Sequence, residues 1–188
     1  MKKAILFTAL LLASPAIAAP ISYQLDPTHT QVLASWSHLG FSNPSLSVPV
    51  QGGTLVYDQK APQKASVTVT LDMEKLNSFV PALDEHLKSG DFFDTKKYPS
   101  AVFKSTSVHP MKDGNMHISG NLTMRGVTRP VTLLAQFNKA DVHPMSKKQA
   151  IGFNATTVIK RSDFGMTGFA PAISDDVRLT ITVEAQGK

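Results

Sequence analysis

The sequence contains no cysteine, and this absence excludes several structural and catalytic options. Without cysteine there is no disulfide, no thiolate nucleophile and no thiol to which a lipid could be attached after export. The fold must therefore be stabilised by its hydrophobic core. The 188 residues are sufficient for one such core, because a domain of this size buries roughly two-thirds of the surface that its unfolded chain exposes.

Signatures of catalysis and of nucleic-acid binding are also missing. No serine lies in a Gly-x-Ser-x-Gly elbow, and no phosphate-binding loop or dinucleotide fingerprint is present. The formal net charge is +5, with basic residues scattered along the chain, which is too weak a pattern for a nucleic-acid-binding protein. Six histidines are present, but none is spaced from a carboxylate or a third histidine so as to complete a metal site. We predict no catalytic residues and no metal site.

Long apolar runs are absent except at the N-terminus. Ala4 to Ala13 follows Lys2 and Lys3 and precedes Ala16-Ile17-Ala18, a small-x-small pattern that a signal peptidase accepts. The run is too short to span a membrane as a helix. We predict that residues 1–18 are a cleaved secretory signal and that residues 19–188 form the mature domain, without a transmembrane segment. The alternative interpretation is an uncleaved, buried helix.

Apolar and polar residues alternate from Ile21 onward, which predicts half-buried strands. The turn dipeptides Asp113-Gly114 and Arg125-Gly126 make short connections, so neighbouring strands are expected to be antiparallel. One interruption, Phe79 to Ser89, carries apolar residues at helical spacing. We predict an all-β protein of about eight antiparallel strands with one short helix. The strands either close into a barrel or pack as two sheets.

Several mid-strand residues on the apolar face are small, and two interpretations of them remain open. Small side chains that face a barrel axis leave volume for a ligand, whereas in a packed core they accommodate bulky neighbours. The residues concerned are Ala34, Gly120, Ala135 and Ala155.

The segment Arg161 to Gly165 follows a predicted strand and also allows two interpretations. Arg161 and Asp163 could orient the polar head of a ligand at the barrel rim, or they could form a structural pair that shapes the turn. His38, on the apolar face, is more often a hydrogen-bonded core histidine than an acid–base group. Phe92 and Phe93, just after the helix, could either plug the barrel end or contact a ligand.

Five segments in register resemble the YceI-like family of bacterial lipid-binding proteins over essentially the whole mature chain. Thr30 replaces the usual serine, and Ala34 lies where a bulky apolar residue is expected. The segments are Tyr23 with Asp26 and His29-Thr30 leading to Trp36 and His38, Asp84 to Asp94 with Tyr98-Pro99 and Phe103, Gly120 to Val131, Arg161 to Gly165, and the strand ending at Glu184-Ala185.

This resemblance implies an extended, lipocalin-like barrel with a long apolar pocket and a periplasmic location. The implied ligand is a polyisoprenoid or an isoprenoid quinone-like amphiphile, with no other cofactor, and the resemblance allows for a homodimer and an inner-membrane partner. The alternative is an envelope enzyme that acts on an isoprenoid in the same pocket. The expected ligand-binding residues are Ala34, Trp36, His38, Leu83, Phe92, Phe93, Phe103, Gly120, Leu122, Met124, Ala135, Phe137, Phe153, Ala155, Arg161, Asp163 and Phe164.

Overall fold

The computed structural model describes residues 20–188, so the predicted signal segment lies outside the described residues. The described chain forms one antiparallel sheet, one α-helix and two short 3-10 helices. The strands are β1 (Ile21–Leu25), β2 (Gln31–His38), β3 (Ser45–Tyr57), β4 (Ser66–Asp72), β5 (Ser100–Pro110), β6 (Asn115–Met124), β7 (Val127–Val142), β8 (Gln149–Lys160) and β9 (Ile173–Gly187). The helix is α1 (Pro81–Lys88), and the 3-10 helices are Pro62–Lys64 and Arg161–Phe164.

The sheet closes into a barrel because β3 pairs with β4 as well as with β2. The strands β1 and β2 share one position in the wall, since both lie between β3 and β9. The nine strands therefore occupy eight positions around the barrel, which confirms the predicted all-β fold. An open sheet of this size would expose the unpaired backbone groups of its two edge strands. Closure pairs β3 with β4 and so removes these edges.

The two predicted tight turns are present, and their backbone geometry explains the residues found there. Asp113-Gly114 connects β5 to β6, and the Asp113 carboxylate accepts a hydrogen bond from the Asn115 amide at 3.1 Å. Arg125 and Gly126 connect β6 to β7 with φ values of 53° and 73°. Two consecutive positive φ angles match the right-handed twist of a hairpin, and glycine adopts such an angle without steric cost.

Strand β3 is longer than the alternation of its residues predicted. The alternation of apolar and polar residues predicts only a weak strand near Thr54–Tyr57, but the structure extends β3 back to Ser45. Pro49 and the pair Gly52-Gly53 lower the β-propensity of this segment, and a bulge between Val50 and Gly52 interrupts its pairing with β4. Tertiary pairing on both sides of β3 overrides this weak local signal.

The helix α1 lies within the predicted segment Phe79 to Ser89. It begins at Pro81, which suits the first helical turn because its missing N–H needs no partner there. The Asp84 carboxylate accepts hydrogen bonds of 2.6 Å from both the backbone amide and the hydroxyl of Ser78, and these bonds fix the entry to the helix. Leu87 is buried in the barrel core, so α1 covers one end of the barrel.

Candidate functional site

Below α1, the barrel contains a cavity of about 550 Å³, here called the outer cavity. Its wall is almost entirely apolar, and its polar side chains are His38, Ser42, His86 and Arg161. Of these, His38, Ser42 and His86 are exposed and mark the mouth, where the cavity reaches solvent.

A second, smaller cavity of about 120 Å³ lies deeper in the barrel and is here called the inner cavity. The two cavities adjoin because four residues line both of them, namely Val32, Leu71, Leu122 and Leu179. Together they form an elongated apolar space along the barrel interior. A space of this shape and polarity suits a long hydrocarbon chain better than a compact polar metabolite.

Aromatic rings border the inner cavity at the end of the barrel opposite α1. The ring centroids of Tyr57 and Phe153 are 5.5 Å apart, and those of Phe137 and Phe153 are also 5.5 Å apart. Burial raises the pKa of the Tyr57 phenol, so this side chain is neutral at physiological pH.

Three further rings frame the mouth. The His86 imidazole contacts the edges of Phe92 and Phe169, at centroid distances of 4.9 and 5.7 Å. Phe92 and Phe169 are nearly parallel, with centroids 5.9 Å apart. All three residues line the outer cavity, and Phe169 is 56% exposed, so the mouth offers an amphipathic ring cluster to an entering molecule.

Most of the predicted ligand-binding residues line one of the two cavities. In the outer cavity these are Ala34, Trp36, His38, Leu83, Phe92, Phe93, Leu122, Met124 and Arg161. In the inner cavity they are Phe103, Leu122, Ala135, Phe153 and Ala155. The small side chains of Ala34, Ala135 and Ala155 thus border open volume.

The structure places four predicted residues outside the walls of both cavities. Gly120 faces the Phe103 ring, and a Cβ at Gly120 would clash with the ring atom Cζ, so its small size accommodates a bulky neighbour. Phe137 stacks with Tyr57 in the ring cluster at the closed end. Asp163 is exposed, and Phe164, 1% exposed, packs in the core.

Arg161 lines the outer cavity, but its guanidinium is engaged by the protein itself. It donates hydrogen bonds to the backbone carbonyls of Ser174 (3.0 Å), Met166 (2.8 Å) and Ile173 (3.0 Å). Over residues 20–188, no ion pair links Arg161 to Asp163. The structural interpretation of the arginine is therefore favoured, although its partners are carbonyls and not the predicted carboxylate.

Several lining residues were missed by the sequence analysis. Leu46 and Val48 belong to the first part of β3, where the alternation of residues did not predict a strand. His86 lies one helical turn from Leu83, and this spacing could have identified it as a lining residue. Met166 and Phe169 lie in the loop between β8 and β9. This loop reaches the mouth through tertiary folding, so no local pattern marks it.

A polar group lies outside the barrel wall, near the closed end. Asp26, His29 and Glu184 bring one ligating atom each within 4.8 Å of one another. Hydrogen bonds from His29 and Thr28 lower the pKa of Asp26 to about 2. Sequence spacing does not reveal this grouping, because it does not show that β9 lies beside the turn between β1 and β2.

Comparison with known proteins identifies relatives along nearly the whole described chain. The model of the YceI-like domain matches residues 23–185. A UPF0312 protein of Pseudomonas putida strain F1 is 40% identical over 179 residues, covering 94% of this chain and 91% of the relative. The protein YceI of Escherichia coli O157:H7 is 39% identical over 190 residues, covering 98% of this chain and 97% of that protein.

Two solved structures show a similar fold. BcnA of Burkholderia cenocepacia superposes with a TM-score of 0.75 at 20% identity, covering 85% of this chain and 98% of that one. A polyisoprenoid-binding domain from Saccharophagus degradans superposes with a TM-score of 0.63 at 14% identity, covering 89% and 99% of the two chains. Within the described part of this chain, no helix has the length and apolar character needed to cross a bilayer.

Proposed function

This chain belongs to the YceI-like domain family, and on that premise we propose that it carries or stores an elongated apolar lipid inside the barrel without chemically changing it. The ligand class we propose is a polyisoprenoid or an isoprenoid quinone-like amphiphile. The similar fold of a polyisoprenoid-binding domain supports this class. The observation that carries the proposal is the elongated apolar space formed by the outer and inner cavities.

Hydrocarbon burial supplies the binding energy. Each CH₂ group moved from water into an apolar interior contributes about 0.8 kcal/mol, so several five-carbon units can hold a lipid without any charged contact. The polar side chains of the outer cavity lie at its mouth or, in Arg161, are already hydrogen-bonded to backbone carbonyls. We therefore place the tail in the interior and the head group at the mouth, near His38 and His86.

A carrier is favoured over an enzyme because the polar groups around the cavities do not form a connected acid–base set. Among the described residues, His38 forms hydrogen bonds through its backbone and not through its ring, and Asp163 lines neither cavity. The alternative, an envelope enzyme acting on an isoprenoid in this space, would need a second group positioned beside His38. No cofactor other than the bound lipid is part of the proposal.

The test of this function is mass spectrometry of an organic extract of the protein purified from its native host. We expect a co-purified, intact isoprenoid lipid in the extract, at an amount comparable to that of the protein. Incubation of the loaded protein should leave the mass of the lipid unchanged. Conversion of the lipid during incubation would favour the enzyme, and an extract without any apolar ligand would contradict the carrier proposal.

We extend the proposal to the periplasm, with loading at the inner membrane. The signal-like residues 1–18 support export, and the exposed aromatic residues Phe41 (91% exposed) and Phe79 (72%) lie in segments next to the mouth. Such side chains suit contact with a membrane or with a lipid-delivering partner there.

Export predicts a specific N-terminus. We expect the mature protein to begin at Ala19, because cleavage after Ala18 follows the small-x-small pattern and the next bond would leave Pro20 first. N-terminal sequencing of protein from a periplasmic fraction tests this expectation. Protein that retains Met1 in the cell envelope would show that the segment is not a cleaved signal.

A further inference from the structure

The polar group formed by Asp26, His29 and Glu184 has the composition of a cation site. Two carboxylates and one imidazole converge, with their ligating atoms within 4.8 Å of one another. Glu184 faces away from the lipid cavities, since its neighbours Val183 and Ala185 point into the barrel. The group is therefore separate from the proposed lipid site.

The backbone holds these side chains together before any ion binds. The amide of Asp26 donates to the carbonyl of Glu184 at 2.9 Å, and the buried Thr30 hydroxyl donates to the same carbonyl at 3.0 Å. The amide of Glu184 in turn donates to that hydroxyl at 3.2 Å. These bonds fix the turn between β1 and β2 against β9, so little conformational entropy remains to be lost on binding.

The Asp26 carboxylate is oriented as well. Its Oδ1 accepts hydrogen bonds from the amide and the hydroxyl of Thr28, at 2.8 and 2.6 Å. Its Oδ2 lies 2.8 Å from Nδ1 of His29. One carboxylate oxygen is thus committed to the turn, while the other faces the imidazole and is available as a ligand.

We propose that Asp26, His29 and Glu184 bind a divalent transition-metal ion of the Zn²⁺ type. Carboxylate oxygen and imidazole nitrogen are ordinary ligands of such ions, and three protein ligands leave a coordination position for water. The two carboxylates balance the charge of a divalent ion. The metal takes the place of the hydrogen bond between Asp26 and His29, and the imidazole proton moves to the solvent-facing nitrogen.

Two neighbouring side chains support this assignment without serving as ligands. His143 Nε2 lies 3.7 Å from Glu184 Oε1, while its Nδ1 accepts long hydrogen bonds from the amides of Met145 and Ser146. Since Nδ1 accepts these bonds, Nε2 is the ring nitrogen that faces Glu184. The Lys139 amine, which borders the same surface pocket, is paired with Asp141 at 3.0 Å. That cation is thus already partly balanced.

Isothermal titration of the untagged, metal-free protein with ZnCl₂ tests the site, together with the melting temperature with and without Zn²⁺. We expect saturable binding at one ion per chain and a rise in melting temperature, because the ion binds the folded state. His29→Gln and Glu184→Gln should each weaken binding by roughly tenfold to a hundredfold or more, since even changes beside a metal site have effects of that size.

The matched control is His117→Gln, which removes one of two histidines that face each other across β5 and β6, His109 and His117. This variant should bind Zn²⁺ as the unmodified protein does. Loss of binding in His117→Gln, or unmodified protein without saturable Zn²⁺ binding, would overturn the proposal. So would full affinity in folded His29→Gln, whose side chain is 64% exposed in the native protein and can be replaced without disturbing the core. The amount of bound lipid should be the same in the unmodified protein and in all three variants, because the metal site lies outside the lipid cavities.

Discussion

Ala155→Trp is expected to shorten the longest isoprenoid tail that the barrel accepts. Ala155 lines the inner cavity from β8, where it pairs with Ala135 of β7 and Ile181 of β9. A tryptophan at this position fills the deep section and leaves the outer cavity open. Excluding one five-carbon unit from the interior removes about 4 kcal/mol of burial energy at 0.8 kcal/mol per CH₂, or roughly a thousandfold in affinity.

The measurement compares the binding of two isoprenoid alcohols of different length to Ala155→Trp and to the unmodified protein. Only the longer alcohol should lose affinity in the variant. Thr180→Trp is the matched control, because Thr180 lies on the exposed face of β9 and should affect neither alcohol. Filling open volume should cost little stability, whereas a loss of about 1–3 kcal/mol in the free energy of unfolding, measured by urea unfolding, would show that Ala155→Trp overpacks a closed core. Unchanged binding of the longer alcohol to folded Ala155→Trp would show that the tail lies elsewhere.

Arg161→Met is expected to lower the free energy of unfolding by about 3–5 kcal/mol. The substitution preserves much of the length of the side chain but leaves the carbonyls of Met166, Ile173 and Ser174 without their donor. A buried polar group that loses its partner typically costs about 1–3 kcal/mol. The start of β9 and the loop that frames the mouth are therefore expected to loosen together.

Arg129→Met provides the control for the general effect of removing an arginine. Arg129 is exposed, and the one hydrogen bond of its side chain is a 3.4 Å contact with the carbonyl of Thr128. Its removal should change the free energy of unfolding by no more than about 0.5 kcal/mol. Urea unfolding and lipid extraction of both variants distinguish the possible roles of Arg161. A fully stable Arg161→Met that has lost its lipid would assign this arginine to ligand binding and contradict the structural role.

The orientation of side chains within most strands could be predicted because it is a local property. Successive residues of a strand face opposite sides of the sheet, so the alternation around Ala135 and Ala155 already indicated which residues face inward. The same reasoning did not show whether Gly120 borders open volume. Its position facing the interior was predictable, but the Phe103 ring that occupies the space above it comes from the neighbouring strand β5.

The helix and the tight turns were predictable for a related reason. Pro81, Asp113-Gly114 and Arg125-Gly126 act through the dihedral angles of their own backbones, which depend little on distant parts of the chain. The first half of β3 was not predictable in this way. It contains Pro49, and it is a strand because β2 pairs with it on one side while Ser47 forms a bridge with Asn77 on the other.

The sequence by itself thus determined the fold class, the inward-facing residues of most strands and the apolar character of the interior, all of which depend on neighbouring residues along the chain. Only the tertiary structure decided what depends on register between strands and on loops meeting across the barrel. Arg161 binds three carbonyls from the segment that follows it instead of Asp163, and Phe169 reaches the mouth from a loop. Glu184 completes a group with Asp26 and His29 because barrel closure places β9 beside the turn between β1 and β2, a proximity that no spacing along the chain encodes.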